Sequence, residues 1–286
     1  MGKAKRLTPR LGAFFIASYA AACGGDSLRA LHSAVGPRAS TNAGALAVAK
    51  PPEMHVVLND PRLLAARDYQ VARDFAAAAR VVDDERGKGG LGPAAACSWA
   101  YVSGRLHLLA NEAPLAAISF DAAMAPSCAL VPYAALRSAE AYAKAGIWQT
   151  SLARAQAVPA SITLHDEARI TLAEALAGNG QRLQAVAIWR ELLANHPHGT
   201  RWVDTAIRLA TALLDGVDGE PSANAKQAYD LATRVVIEAP KVADGSGATA
   251  QRARAFALLR AADPSFSDAL SDGELARRTQ GWLDAG

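Results

Sequence analysis

The sequence predicts an all-α protein, a tetratricopeptide-like α-solenoid of stacked helix hairpins. Three observations carry this. Alanine dominates the 286 residues while strand-type runs of Val, Ile and Thr are almost absent, a composition that favours closely packed helices. Apolar residues recur at helical spacing in segment after segment, each ended by Gly or Pro. The segments pair at a nearly fixed interval. The small residue one turn before the anchor of each second helix falls at Ala116, Ser151, Ala185 and Ala228, spacings of 35, 34 and 43. Two of these match the tetratricopeptide period of about 34 residues, and the loop Asp215–Glu220 accounts for the longer one.

The clearest pair runs from Leu164 to Pro197. Leu164, Ala168, Leu172, Ala175 and Leu176 stripe its first helix, and Gly178-Asn179-Gly180 breaks it. Leu183, Val186, Trp189, Leu192 and Leu193 stripe the second, with small Ala185 one turn before bulky Trp189, so that a neighbouring helix can approach beside one large anchor.

The chain starts differently. Lys3, Lys5, Arg6 and Arg10 precede twelve mostly apolar residues, Leu11–Ala22, too few to span a bilayer as a helix. Residues 1–22 therefore read as a signal peptide. Ala20-Ala21-Ala22-Cys23 resembles a bacterial lipoprotein lipobox, although Ala20 stands where that motif prefers Leu. The resemblance implies acylation of Cys23 and a lipid anchor; the other reading is simple cleavage, leaving a periplasmic protein. Without the four basic residues of the signal, 26 basic residues face 27 acidic ones, and the formal charge of +3 becomes −1. Nucleic acid is an unsuitable partner for such a chain. Residues 23–59 are rich in Gly, Ala, Ser and Pro and read as a flexible tether, with Met54–Leu58 as a short extended segment.

The folded body is expected over 60–286. A first helix runs from the cap Asn59-Asp60-Pro61 to about Glu85. Gly87–Gly92 is a connector: no strand precedes it and no Lys-Ser or Lys-Thr closes it, as a phosphate loop requires. Further helices cover Trp99–Leu109, Leu115–Ala125, Tyr133–Ala145, Trp148–Val158, the Leu164–Pro197 pair, Trp202–Leu214, Ala228–Val236, Ala248–Ala262 and Gly273–Ala285. Trp282-Leu283-Asp284-Ala285-Gly286 looks like the close of a first helix whose partner is missing, as if the chain were cut in mid-repeat.

Chemistry is sparse. His196-Pro197-His198 and the single histidines His32, His55, His107 and His165 lack the i, i+4 pairing or Cys partners of a zinc site, so no metal is expected. Asp215, Asp218 and Glu220 lack the ligand order of a calcium loop. No nucleophile elbow occurs, and no cofactor motif. Cys97 and Cys128 map to the same end of one hairpin. They are a candidate disulfide in an oxidising compartment, or else two small buried residues. Trp and Tyr lie on apolar faces, where packing is their ordinary role.

Three segments, Trp99–Leu106, Tyr133–Tyr142 and Arg201–Gly219, are similar to the N-terminal helical superhelix of soluble lytic murein transglycosylases. The resemblance implies a scaffold that holds glycan strands while a separate lysozyme-like domain cleaves them. That domain's catalytic glutamate sits in a Glu-Ser pair, and no glutamate here precedes serine, so no catalytic position carries over. The expectation is a non-catalytic, periplasmic scaffold anchored to the outer membrane, with peptidoglycan glycan strands as partner. The alternative is a tetratricopeptide lipoprotein that binds envelope proteins.

Overall fold

The computed structural model describes residues 51–199 and 201–284, all within one compact unit that spans 46–286. The signal peptide, Cys23 and most of the tether lie outside the described residues, as does Gly286. The described residues are all-helical, without a strand. The elements are α1 (Met54–Leu58), a 3-10 turn (Pro61–Leu63), α2 (Leu64–Val71), α3 (Phe75–Gly87), α4 (Pro93–Leu109), α5 (Ala113–Ala122) and α6 (Val131–Lys144). There follow α7 (Trp148–Gln156), α8 (His165–Gly178), α9 (Arg182–Asn195), α10 (Trp202–Leu214), α11 (Pro221–Glu238), α12 (Ala248–Ala262) and α13 (Asp272–Asp284).

One turn recurs through the chain. The helices α2, α4, α6, α8 and α10 each end on a residue in the left-handed region: Arg73, Asn111, Gly146, Gly180 and Gly216, spaced by 38, 35, 34 and 36. At each, the next N–H reaches back five residues to a carbonyl of the last turn: Asp74 to Tyr69 (2.9 Å), Glu112 to His107 (2.8 Å), Ile147 to Tyr142 (2.9 Å), Gln181 to Leu176 (2.8 Å) and Val217 to Ala212 (3.2 Å). This is the Schellman closure, which satisfies the orphan carbonyls of a helix end. In four of the five the second helix starts two residues later; α11 starts after the longer Asp215–Glu220 loop. The chain is thereby folded into five hairpins, and each helix from α1 to α11 packs on the next, with α6 also touching α8 and α10 touching α12.

The small residues marking the repeat pack as their spacing predicts. Ala116, Ser151, Ala185 and Ala228 are all fully buried. Where the notch residue is polar, its hydroxyl is satisfied: Ser151 Oγ donates to the Ala139 carbonyl at 2.8 Å. Gly104 makes the same close approach possible, since a Cβ there would lie 2.8 Å from the Phe120 ring. The apolar core accordingly forms as successive clusters. Leu63, Val82, Trp99 and Leu106 fill the first, Tyr101, Phe120 and Tyr133 the next, and Trp189, Leu209, Leu213 and Tyr229 a later one.

Three expectations change. The single helix over 60–85 is broken at Arg73, with Asp74 capping α3 through the Ala77 N–H at 3.0 Å, so a fifth hairpin exists whose notch is the buried Ala78. Met54–Leu58 is helix rather than extended, and Leu58 is fully buried among α2, α3 and α4, inside the span read as tether. Leu183 does not face the core; it is 59% exposed. Beyond these, α13 packs on α11, where Gly281 allows contact with the Ile237 carbonyl and Pro240.

Candidate functional site

Charged residues line one stripe of each of three first helices. They stand at i, i+3 and i+7 in two of them, Arg137, Glu140 and Lys144 on α6 and Arg201, Asp204 and Arg208 at the cap and first turns of α10, and at i and i+7 in the third, Glu167 and Glu174 on α8. The 34-residue repeat brings equivalent positions side by side, Glu167 with Arg201 and Glu140 with Glu174 and Arg208. Together with Trp148, most of these residues wall a groove of about 490 Å³.

Its walls are ion-paired. Arg137 donates to both oxygens of Glu140 (2.9 and 2.8 Å) and lies 3.3 Å from Glu167. Arg201 donates to Glu174 at 2.7 Å and Asp204 at 2.6 Å, and Arg208 approaches the same two acids at 3.3 and 3.4 Å. Burial alone would lower the pKa of Arg137 and Arg201. The carboxylates of Glu140 and Glu167 outweigh it for the first, those of Glu174 and Asp204 for the second, so both are held firmly charged. The exposed Lys144 extends the row. Trp148 begins α7, and its benzo ring lies over Gly178 so closely that a Cβ there would meet it at 2.1 Å. The glycine that marked a helix end in the sequence is also the seat of the aromatic residue in the groove. Such a surface offers one aromatic ring flanked by fixed donors and acceptors of both signs.

A second polar cluster joins α3, α4 and α5. His107, with 3% of its side chain exposed, directs Nε2 at Asp83 (2.8 Å) and Nδ1 at Glu112 (2.8 Å). Ser103 donates to Asp83 at 2.6 Å and meets Ser119 at 3.1 Å. Burial would lower the pKa of His107, but the two carboxylates more than offset it and raise it; burial would raise that of Asp83, and His107 and Ser103 hold it low. With a carboxylate on each nitrogen, the imidazole satisfies both as the doubly protonated cation. Histidine, aspartate and serine recur here in the residue types of a hydrolase triad, but not in its geometry. The serine bonds the aspartate, and neither ring nitrogen is free to take a serine proton. The cluster is a clip between helices. Its members stand 24, 5 and 16 positions apart in sequence, a pattern that no local spacing reveals.

The remaining residues singled out in the sequence fall elsewhere. Cys97 and Cys128 are buried free thiols in one core cluster. His55, His196 and His198 are exposed. The loop acids are taken by arginines: Asp215 by Arg182 (2.7 Å) and Arg254 (3.0 Å), Asp218 by Arg190. Among the described residues no group of three His, Cys, Asp or Glu side chains is placed to hold a metal ion, and no helix is long and apolar enough to cross a membrane. Trp189 and Tyr101 are buried in the core, whereas Trp148, read in the sequence only as a helix start, lines the groove. Against known proteins, the chain matches no family model, and no curated protein matches it significantly.

Proposed function

We propose that this chain is the non-catalytic helical scaffold of a cell-envelope protein, a tetratricopeptide-like α-solenoid that binds peptidoglycan along the groove of α6, α8 and α10. The observation that carries the reading is Trp148 seated on Gly178 in a groove walled by paired Arg and Glu. An aromatic face stacks on a sugar ring, while fixed guanidinium and carboxylate groups recognise the carboxylates and amines of stem peptides. The 34-residue offset between wall positions supports the solenoid, and the lipobox-like Ala20–Cys23 supports export and a lipid anchor.

Sedimentation with purified sacculi tests the binding. The chain is expected in the pellet, without release of anhydro-muropeptides, and Trp148→Ala should bind roughly tenfold more weakly, about 1.4 kcal/mol. Equal retention of wild type and variant would remove the groove from the argument. Release of anhydro products would overturn the non-catalytic role. The alternating charges favour one second reading, an extended charged segment of an envelope protein held in the same groove. It predicts no retention on sacculi at all.

A further inference from the structure

Cys97 and Cys128 come from different parts of one hairpin and the turn after it. Cys97 lies in the second turn of α4; Cys128 lies between α5 and α6, where its N–H donates to the Ala125 carbonyl at 2.8 Å and its carbonyl accepts from Val131 at 3.3 Å. Both thiols are 5% exposed and share a core with Ala100, Tyr101, Leu130 and Tyr133. They are neighbours: burial, and then the Cys128 thiol beside it, push the Cys97 thiol up to about 12. Cys97 is held within a helix and Cys128 in a hydrogen-bonded turn, so both thiols sit on ordered backbone in one core.

We propose that Cys97 and Cys128 form a disulfide that fastens the start of α4 to the entry of α6, and that it forms while the chain folds rather than afterwards. The chemistry is thiol–disulfide exchange with a disulfide oxidant. One cysteine, as thiolate, attacks the oxidant's S–S bond, forming a mixed disulfide and releasing one thiolate; the second cysteine displaces the other half of the oxidant. Two S–H bonds are lost and one S–S bond forms. The two electrons go to the oxidant's disulfide, which leaves as two thiols, carrying the two protons.

The timing follows from the burial. Attack requires a thiolate in contact with the oxidant; in the folded chain both thiols are 5% exposed in an apolar core that keeps the oxidant out, and burial also holds that of Cys97 protonated. In the unfolded chain the thiol ionises in its ordinary range and meets the oxidant freely. This bridge is therefore a permanent fastening, not a reversible switch. It acts independently of whatever ligand occupies the groove.

The test uses the full chain with Cys23→Ser, which leaves only these two thiols. It is refolded with oxidised and reduced glutathione, then denatured and treated with iodoacetamide. The expected product takes up no label, is lighter by two hydrogens and yields a cross-linked peptide holding Cys97 and Cys128; reduction restores two labelling sites and lowers the melting temperature by roughly 5–10 °C. Two alkylated thiols before reduction, or disulfide-linked dimers, would overturn the pairing. In a second arm the reduced, already folded protein meets the same oxidant. Bridging about tenfold or more slower than during refolding is expected, and equal rates would overturn the coupling to folding. The double variant Cys97→Ala/Cys128→Ala, whose melting temperature should ignore the oxidant, separates the bridge from other effects of oxidation.

Discussion

Single side chains that bridge helices show how polar groups are accommodated in an alanine-rich core. Asp121 on α5 accepts from Ser138 (2.6 Å) and Tyr142 (2.9 Å) on α6 and from two nitrogens of Arg154 on α7 (3.0 and 2.9 Å). Burial would raise its pKa; these four bonds hold the carboxyl below its usual range. His107 does the equivalent work with opposite charge, and its pKa direction fixes a pH dependence. A histidine whose folded pKa is raised contributes stability that is complete below its unfolded value of 6.5 and fades as pH rises through the folded value. Melting curves of wild type should therefore show stability declining from about pH 6.5 upward, through a step that His107→Gln removes. At pH 6, His107→Ala should cost about 2–3 kcal/mol, because it leaves Asp83 and Glu112 without their shared partner. An unchanged pH profile in His107→Gln would mean that the imidazole is not the titrating group. None of this was legible beforehand. Asp83 and His107 are 24 residues apart, and an isolated histidine in a helix reads as solvated or singly bonded until α3 and α4 are packed together.

At the scale of the hairpin, what was readable depended on whether the turn used the residue type its backbone demands. Three of the five Schellman closures use glycine (Gly146, Gly180, Gly216), and there the helix ends were legible to within a residue or two. Asn111, tolerant of the left-handed region, closes the fourth. The remaining closure uses Arg73, a residue with no such preference, so α2 and α3 read as one helix. Only Asp74 hinted at a break, as a cap to α3. The strain gives a direct prediction. Arg73 is exposed, so replacing it removes no buried contact; Arg73→Gly should raise stability by about 1 kcal/mol, while Gly180→Arg at the equivalent turn should lower it by a similar amount. Chemical denaturation of both variants checks this, and a destabilised Arg73→Gly would show that the side chain contributes more than its backbone conformation costs. The groove was partly legible in the same way. Glu140, Glu174 and Arg208 stand 34 apart and Glu167 and Arg201 likewise, a periodicity of charge that only becomes a wall once the hairpins are aligned. Trp148 gave no such signal, because helical spacing assigns every aromatic residue to the core by default.

At the scale of the molecule, the contact pattern sets how the chain should unfold. Helices touch mainly those next to them in sequence, and the apolar core is divided among clusters, one built on α1 to α4 and another spanning α7 to α12. In a fold held by neighbour contacts, local damage spreads only as far as its own cluster and the interfaces beside it. Leu209 is 1% exposed in the later cluster, and Leu209→Ala removes about 2–5 kcal/mol there. Native-state hydrogen exchange should then show amides of α8 to α12 losing protection by that amount, with those of α2 to α4 nearly unchanged. Leu63→Ala, in the first cluster, should produce the reverse pattern. A uniform loss of protection along the chain in both variants would instead require one cooperative core, and the division into clusters would have no energetic meaning. The outcome also bears on the groove, because α6 lies outside both clusters whereas α8 and α10 belong to the later one. If Leu209→Ala loosens α8 and α10 while α6 stays closed, the Arg201–Glu174 pair loses its fixed geometry with the later cluster. The Arg137–Glu140 pair on α6 is then the part of the wall that stays preorganised for a ligand.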